Sequence, residues 1–241
     1  MYAADANSEF GMVVEISRLL NIPGHIPPAV VVGIGYDNPG PGLVASFAPR
    51  TLDLTPTVSS KELADVQDFA KMRGYPRPIA NGGAPEFLDF IRSELVPYIE
   101  SSYNVSHQDR AWFGHSYGGL FGIYALLHGD GLFQRFIIGS PTLDYDEHVM
   151  FKDEERYHAG HKRLPARIYF SVGGDEEATD DPMVSDMVRF ATQLKERNYE
   201  GLELESAVFN GESHVSVITL AIHYGLRAIY RDAATASTQV H

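Results

Sequence analysis

The stretch Ala111-Trp112-Phe113-Gly114-His115-Ser116-Tyr117-Gly118-Gly119-Leu120-Phe121-Gly122-Ile123-Tyr124-Ala125-Leu126-Leu127 decides the fold. An apolar run enters it, a serine framed by glycines stands at its centre, and a helical apolar pattern leaves it. Strand, sharp turn, helix is the setting in which Gly-x-Ser-x-Gly becomes a nucleophile elbow. The turn is expected to force Ser116 into a left-handed backbone conformation and lift its hydroxyl clear of the sheet. A side chain at Gly114 or Gly118 is expected to collide with neighbouring backbone, and Gly119 to let the helix pack closely on the strand.

Outward from the elbow, strands and helices alternate. Residues 29–34 (AVVVGI) form a continuous apolar run, as expected of a central parallel strand buried on both faces. Pro85 opens a helical pattern through Phe87, Phe90, Ile91, Leu95, Tyr98 and Ile99, with a kink predicted at Pro97. Strands are predicted over 110–114, 136–138, 167–172 and 202–209. Asp181-Pro182 reads as the N-cap and first position of a helix running to about Asn198, and residues 214–230 as a closing helix. Strands separated by helices imply a mostly parallel sheet with helices on both faces. Residues 37–84, rich in Gly, Pro and Asn, break the alternation and are predicted to form a long loop or partial lid.

Composition narrows the function classes. The 241 residues suit one α/β domain, predicted over 1–231, with a small, polar, frayed tail over 232–241. With 19 basic and 32 acidic residues the net charge is −13, which argues against nucleic acid or an anionic membrane as partner. There is no cysteine, so a thiolate metal site or nucleophile is excluded. No stretch is long and apolar enough for a transmembrane helix, and the first residues lack the pattern of a signal peptide, so a cytoplasmic location is expected. No metal or cofactor is expected; His158-Ala159-Gly160-His161 is the nearest approach to ligand spacing, and it is weak.

A serine nucleophile needs a base, a carboxylate to orient that base, and donors for the oxyanion. At an elbow of this kind the acid and then the histidine follow the serine in the chain. That order removes His25, His107 and His115. His128 falls on or after the elbow helix, His148, His158 and His161 in a charged segment, and His223 inside the last helix. His214 stands just past a strand, in Asn210-Gly211-Glu212-Ser213-His214-Val215, where an imidazole can lean over the strand ends. The acid is expected at the tip of the preceding strand, where Asp175, Glu176 and Glu177 follow one another. Spacing alone leaves the three open.

Several further stretches carry a resemblance: Val31-Val32-Gly33-Ile34-Gly35-Tyr36, Arg50-Thr51-Leu52-Asp53-Leu54-Thr55-Pro56, Asn81-Gly82-Gly83-Ala84, Glu94-Leu95-Val96-Pro97-Tyr98-Ile99, Gly139-Ser140-Pro141, Val172-Gly173-Gly174-Asp175-Glu176 and Gly211-Glu212-Ser213-His214. With the elbow, they make nearly the whole chain resemble the putative esterase family of the α/β-hydrolase superfamily, and within it the branch of trilactone siderophore esterases. The resemblance implies Ser116 as nucleophile, His214 as base and Glu176 as acid, with Asp175 as runner-up. It also exposes a departure. Tyr2-Ala3-Ala4-Asp5-Ala6-Asn7 is similar to the end of a strand and turn that the family normally precedes with further strands, so the usual N-terminal edge strands are expected to be missing. An unpaired sheet edge there would favour a homodimer. The turn would supply one oxyanion donor, the N–H of Asn7, beside the N–H of Tyr117; the competing reading of Asn7 is an ordinary helix-start residue.

Tyr36 and Arg50 are the candidate substrate contacts, although Arg50 fits pairing with nearby acids better. The sequence therefore predicts a serine carboxylesterase acting through an acyl-enzyme on small to medium esters, siderophore lactones among them. The alternatives are an acyltransferase using the same site and a non-catalytic, truncated hydrolase-like binding domain.

Overall fold

A computed structural model describes residues 1–37, 44–75, 77–178 and 182–232. Six parallel strands form one sheet in the order β2-β1-β3-β4-β5-β6: β1 Tyr2–Ala3, β2 Val32–Gly33, β3 Ala111–His115, β4 Arg135–Gly139, β5 Arg163–Gly173 and β6 Glu200–Phe209. Successive side chains on the inner strands point to opposite faces. Tyr2, Trp112, Phe136, Ile138, Ile168 and Phe170 enter one core, and Ala3, Phe113, Ile137 and Tyr169 the other.

Helices cover both faces, as the alternation predicts. α1 (Ala6–Asn21) and α9 (Ile218–Ile229) pack on the second core. The first core is covered by α4 (Ala84–Phe90), α5 (Val96–Ser102), α6 (Tyr117–His128), α7 (Tyr145–Gly160) and α8 (Met183–Glu196). α6, the elbow helix, is apolar almost all round and almost wholly buried, as befits a helix roofed by others. Trp112 is fully buried, its ring 4.9 Å from Phe121 and 5.5 Å from Phe133.

Three expectations are corrected. Residues 29–34 do not form a central strand: only Val32 and Gly33 pair, with β1 alone, and β2 is the outermost described strand on that side. Ala29 and Val30 are exposed, because nothing among the described residues packs beyond them. Residues 37–84 are not simply a loop; they hold α2 (Val44–Leu54) and α3 (Ser60–Met72). The predicted kink at Pro97 becomes a π-helical turn, Ile91–Leu95, between α4 and α5. Proline lacks an N–H and crowds the carbonyl one turn back, and a widened turn accommodates both. Pro182, expected at the first helical position, stands instead at the N-cap of α8, and Asp181 lies outside the described residues, as does 233–241 of the predicted tail. Among the described residues no helix is long and apolar enough to cross a membrane.

β1 pairs with β2 on one side and β3 on the other, so the chain leaves β1 in one direction for α1 and β2 and returns past it to β3. A crevice outside the carboxyl ends of strands at such a switch point is where open α/β sheets bind ligands. Asp5 follows β1 there and Ser116 follows β3. One helix residue facing that region is unusual: Glu9 of α1 is 5% exposed, and its Oε2 has no hydrogen-bond partner. Burial first, then the Asp5 carboxylate, push its pKa from the ordinary 4.5 to about 8, against the downward pull of Arg50. A buried carboxyl whose folded pKa is raised costs stability as pH climbs between those values. Glu9→Gln should thus match the parent near pH 4.5 and be more stable than it near pH 8, by roughly 1–3 kcal/mol. Urea unfolding at the two pH values reads the difference.

Candidate active site

The elbow is built from its glycines. Ser116 sits at φ 58°, ψ −121°, between the end of β3 and the start of α6. Its N–H donates to the Gly139 carbonyl at 2.9 Å, and its own carbonyl accepts the N–H of Leu120 at 2.9 Å. A Cβ at Gly114 would lie 2.0 Å from the Gly118 carbonyl oxygen, so only glycine fits. At Gly118 the expected backbone collision is absent; a Cβ there would meet the side chains of Ala4 and Asp5, at 3.2 and 3.3 Å. Gly119 does bring α6 close to β4, with the Gly139 oxygen 3.0 Å from a built Cβ.

The turns after β5 and β6 are knitted together. Gly174 N–H donates to the Phe209 carbonyl at 2.8 Å and Asp175 N–H to the Glu212 carbonyl at 3.1 Å. This brings Glu176 against His214. His214 Nδ1–H donates to Glu176 Oε2 at 2.5 Å, and Glu176 Oε1 accepts Ser140 Oγ–H and Gly173 N–H, each at 2.7 Å. Burial raises the Glu176 pKa, but the hydrogen bonds from His214, Ser140 and Gly173 together outweigh it and hold the carboxyl below its ordinary value. With Nδ1 carrying the proton toward a carboxylate, the lone pair of the imidazole is on Nε2.

The three successive acids separate by partner. Glu176 takes His214. Glu177 accepts from the N–H and hydroxyl of Ser185, in the first turn of α8. Asp175 lines the cavity described below.

Ser116, Tyr117, Arg50, Asp175, Glu176 and His214 border one cavity of about 560 Å³, together with Thr142, Asp144, Met183 and, from α3, Glu62, Asp65, Val66 and Phe69. Ser116 Oγ stands 3.5 Å from Thr142 Oγ1, too long for a made bond between hydroxyls. The Tyr117 N–H lies at the first position of α6, where no intrahelical acceptor exists. Arg50 is spoken for: Nε and one terminal nitrogen grip the two Asp5 oxygens at 2.7 and 2.8 Å, and its guanidinium lies 5.2 Å from the Tyr117 ring centroid.

Two candidates fall outside this cavity lining. Asn7 is the second residue of α1, and its side chain bridges to the Tyr36 backbone, accepting at 2.7 Å and donating at 2.9 Å. Tyr36 borders a separate pocket with Asp53 and Phe87. A larger cavity, about 680 Å³, lies at the other end of the sheet beside His128 and Leu164 and holds no serine. His115 is buried with both ring nitrogens unpaired, its ring 4.5 Å from that of His214. Burial, then His214, hold its pKa down to about 3, so it stays neutral.

Sequence reasoning missed Ser140, Thr142 and the α3 wall. The Gly139-Ser140-Pro141 signal was visible, without a role attached to its serine.

Comparison with known proteins shows the family of the chain. Residues 45–218 match a family described as "Putative esterase". Over 235 residues the chain is 32% identical to "Ferri-bacillibactin esterase BesA" of Bacillus subtilis (strain 168), covering 94% of this chain and 77% of that protein. It is 33% identical over 166 residues to "Siderophore enterobactin esterase" of Emericella nidulans, covering 66% of this chain and 51% of that protein. A crystal structure of BES protein from Bacillus cereus superposes with a TM-score of 0.78 at 30% identity, covering 95% of this chain and 83% of that one.

Ser140→Ala removes one donor to an ionised, buried carboxylate and should cost about 1–3 kcal/mol at neutral pH. Because the folded pKa of Glu176 is depressed, that difference is present above the ordinary 4.5 and fades as pH falls through the folded value. Denaturant titration of both proteins across acid pH measures it.

Proposed function

Because this chain belongs to the α/β-hydrolase family described as "Putative esterase", we propose that it is a serine hydrolase cleaving small-molecule carboxylic esters through an acyl-enzyme. The observation that carries the reading is the 2.5 Å bond between Glu176 and His214 Nδ1, at the rim of the cavity that also holds Ser116 on its strained turn.

In this mechanism Ser116 Oγ attacks the ester carbonyl carbon while its proton passes to Nε2 of His214. Glu176 keeps Nδ1–H oriented and stabilises the imidazolium that forms. The N–H of Tyr117 binds the developing oxyanion, and the first turn of α1, with Asn7 as candidate, supplies the second donor. The tetrahedral adduct collapses, its C–O bond to the alcohol breaks, and His214 returns the proton to the departing alcohol oxygen. A water then repeats the sequence on the acyl-enzyme, releasing the acid and restoring Ser116. The cavity accommodates small to medium esters. One named relative is called a ferri-bacillibactin esterase and the other a siderophore enterobactin esterase, which makes iron-chelating esters the first natural substrates to try.

Ser116→Ala should abolish both turnover of p-nitrophenyl butyrate and covalent labelling by a fluorophosphonate; hydrolysis at the parental rate would end the proposal. Glu176→Gln should leave labelling detectable and lower kcat by about a hundredfold or more.

A further inference from the structure

The cavity around Ser116 carries charge of one sign. Among the described residues five carboxylates border it, Glu62, Asp65, Asp144, Asp175 and Glu176, against a single cationic side chain, Arg50. Glu176 is engaged with His214, and Arg50 is held bidentately by Asp5. Glu62 and Asp65 come from α3, Asp144 from the segment after β4, and Asp175 from the turn after β5, so the excess belongs to no one element. Asp144 Oδ1 is buried without a hydrogen-bond partner. Glu62 is held above its ordinary pKa by burial first and Asp144 next, against Lys61; Asp144 is held above its own by burial first, against a backbone hydrogen bond, with Asp186 adding to the rise and His148 and Lys61 opposing it. The sequence segments outside the described residues, 38–43, 76, 179–181 and 233–241, contain no lysine or arginine. Val66, Phe69 and Met183 supply apolar wall between the acids.

A water-lined cleft walled by one sign of charge concentrates ligands of the other sign and repels its own. We propose that this cavity selects esters by charge: it rejects anionic esters, accepts neutral ones and favours those bearing a quaternary or protonated amine. The inference rests on the ester-hydrolase reading.

The experiment compares kcat/KM for p-nitrophenyl esters of matched length: pentanoate, the glutarate half-ester with a free carboxylate, and trimethylammonio-butanoate. Measurement at mildly alkaline pH and low ionic strength keeps the wall ionised. The glutarate ester should fall at least about tenfold below the pentanoate, and the cationic ester should equal or exceed it. Added sodium chloride should shrink the gap, since screening weakens exposed charge. In the double variant Glu62→Gln/Asp65→Asn the glutarate-to-pentanoate ratio should rise, with circular dichroism confirming the fold. Equal kcat/KM for the anionic and neutral esters in the parent protein overturns the charge selection and leaves the hydrolase reading standing. Failure to turn over any of the three overturns the hydrolase reading, and this inference with it.

Discussion

A single missing methyl group governs the site. The chain reverses so tightly after β3 that a Cβ at Gly114 would sit 2.0 Å from the Gly118 oxygen. That contact lets the backbone place Ser116 at a positive φ that non-glycine residues rarely adopt. The strain is held by bonds made elsewhere: the Ser116 N–H to Gly139, the Leu120 N–H back to Ser116, and the Trp112 Nε1–H to the Gly118 carbonyl at 3.1 Å. The buried, aromatic interior around Trp112 is thereby connected directly to the turn that carries Ser116.

The sheet order then determines what can surround that hydroxyl. Because β1 and β3 are neighbours with their helices on opposite faces, the turn at Asp5 and the elbow at Ser116 open side by side. The exits of β4, β5 and β6 bring Ser140, Glu176 and His214 to the same rim. Arg50 ties α2 to the Asp5 turn through a buried, bidentate pair. That pair spends the cavity's cation on architecture, and the acidic wall follows from it.

Legibility in the sequence tracked how local each determinant is. The elbow, the inner strands and the position of His214 depend on short runs and were readable from them. Which of Asp175, Glu176 and Glu177 faces His214 depends on the bonds between two turns, and only the family resemblance favoured Glu176. The segment before Ala84 misled because its glycines and prolines dominate the composition. Yet Ser59 and Glu62 stand at the spacing of a helix start, ahead of Leu63, Val66 and Phe69 at helical intervals. The run at 29–34 misled in the other direction, since β-branched residues state a preference for strand but not whether a neighbour exists to pair with. The Asn7 side chain bonds to the backbone of Tyr36 beside β2, a pairing that the sequence reading of either residue did not foresee. The charge of the cavity was invisible to sequence reading, because its acids come from separate stretches of chain.

His115 gives the arrangement a further property. Two imidazoles lie 4.5 Å apart, their planes tilted by 48°, one touching a carboxylate and open to the cavity, the other sealed in the protein with a basicity too low to hold a hydrogen ion at any physiological pH. In the proposed reaction a hydrogen ion lodged on His214 therefore finds no relay leading inward. The interior acts as an insulator, and the hydrogen ion leaves on the cavity side, where the His214 ring is open.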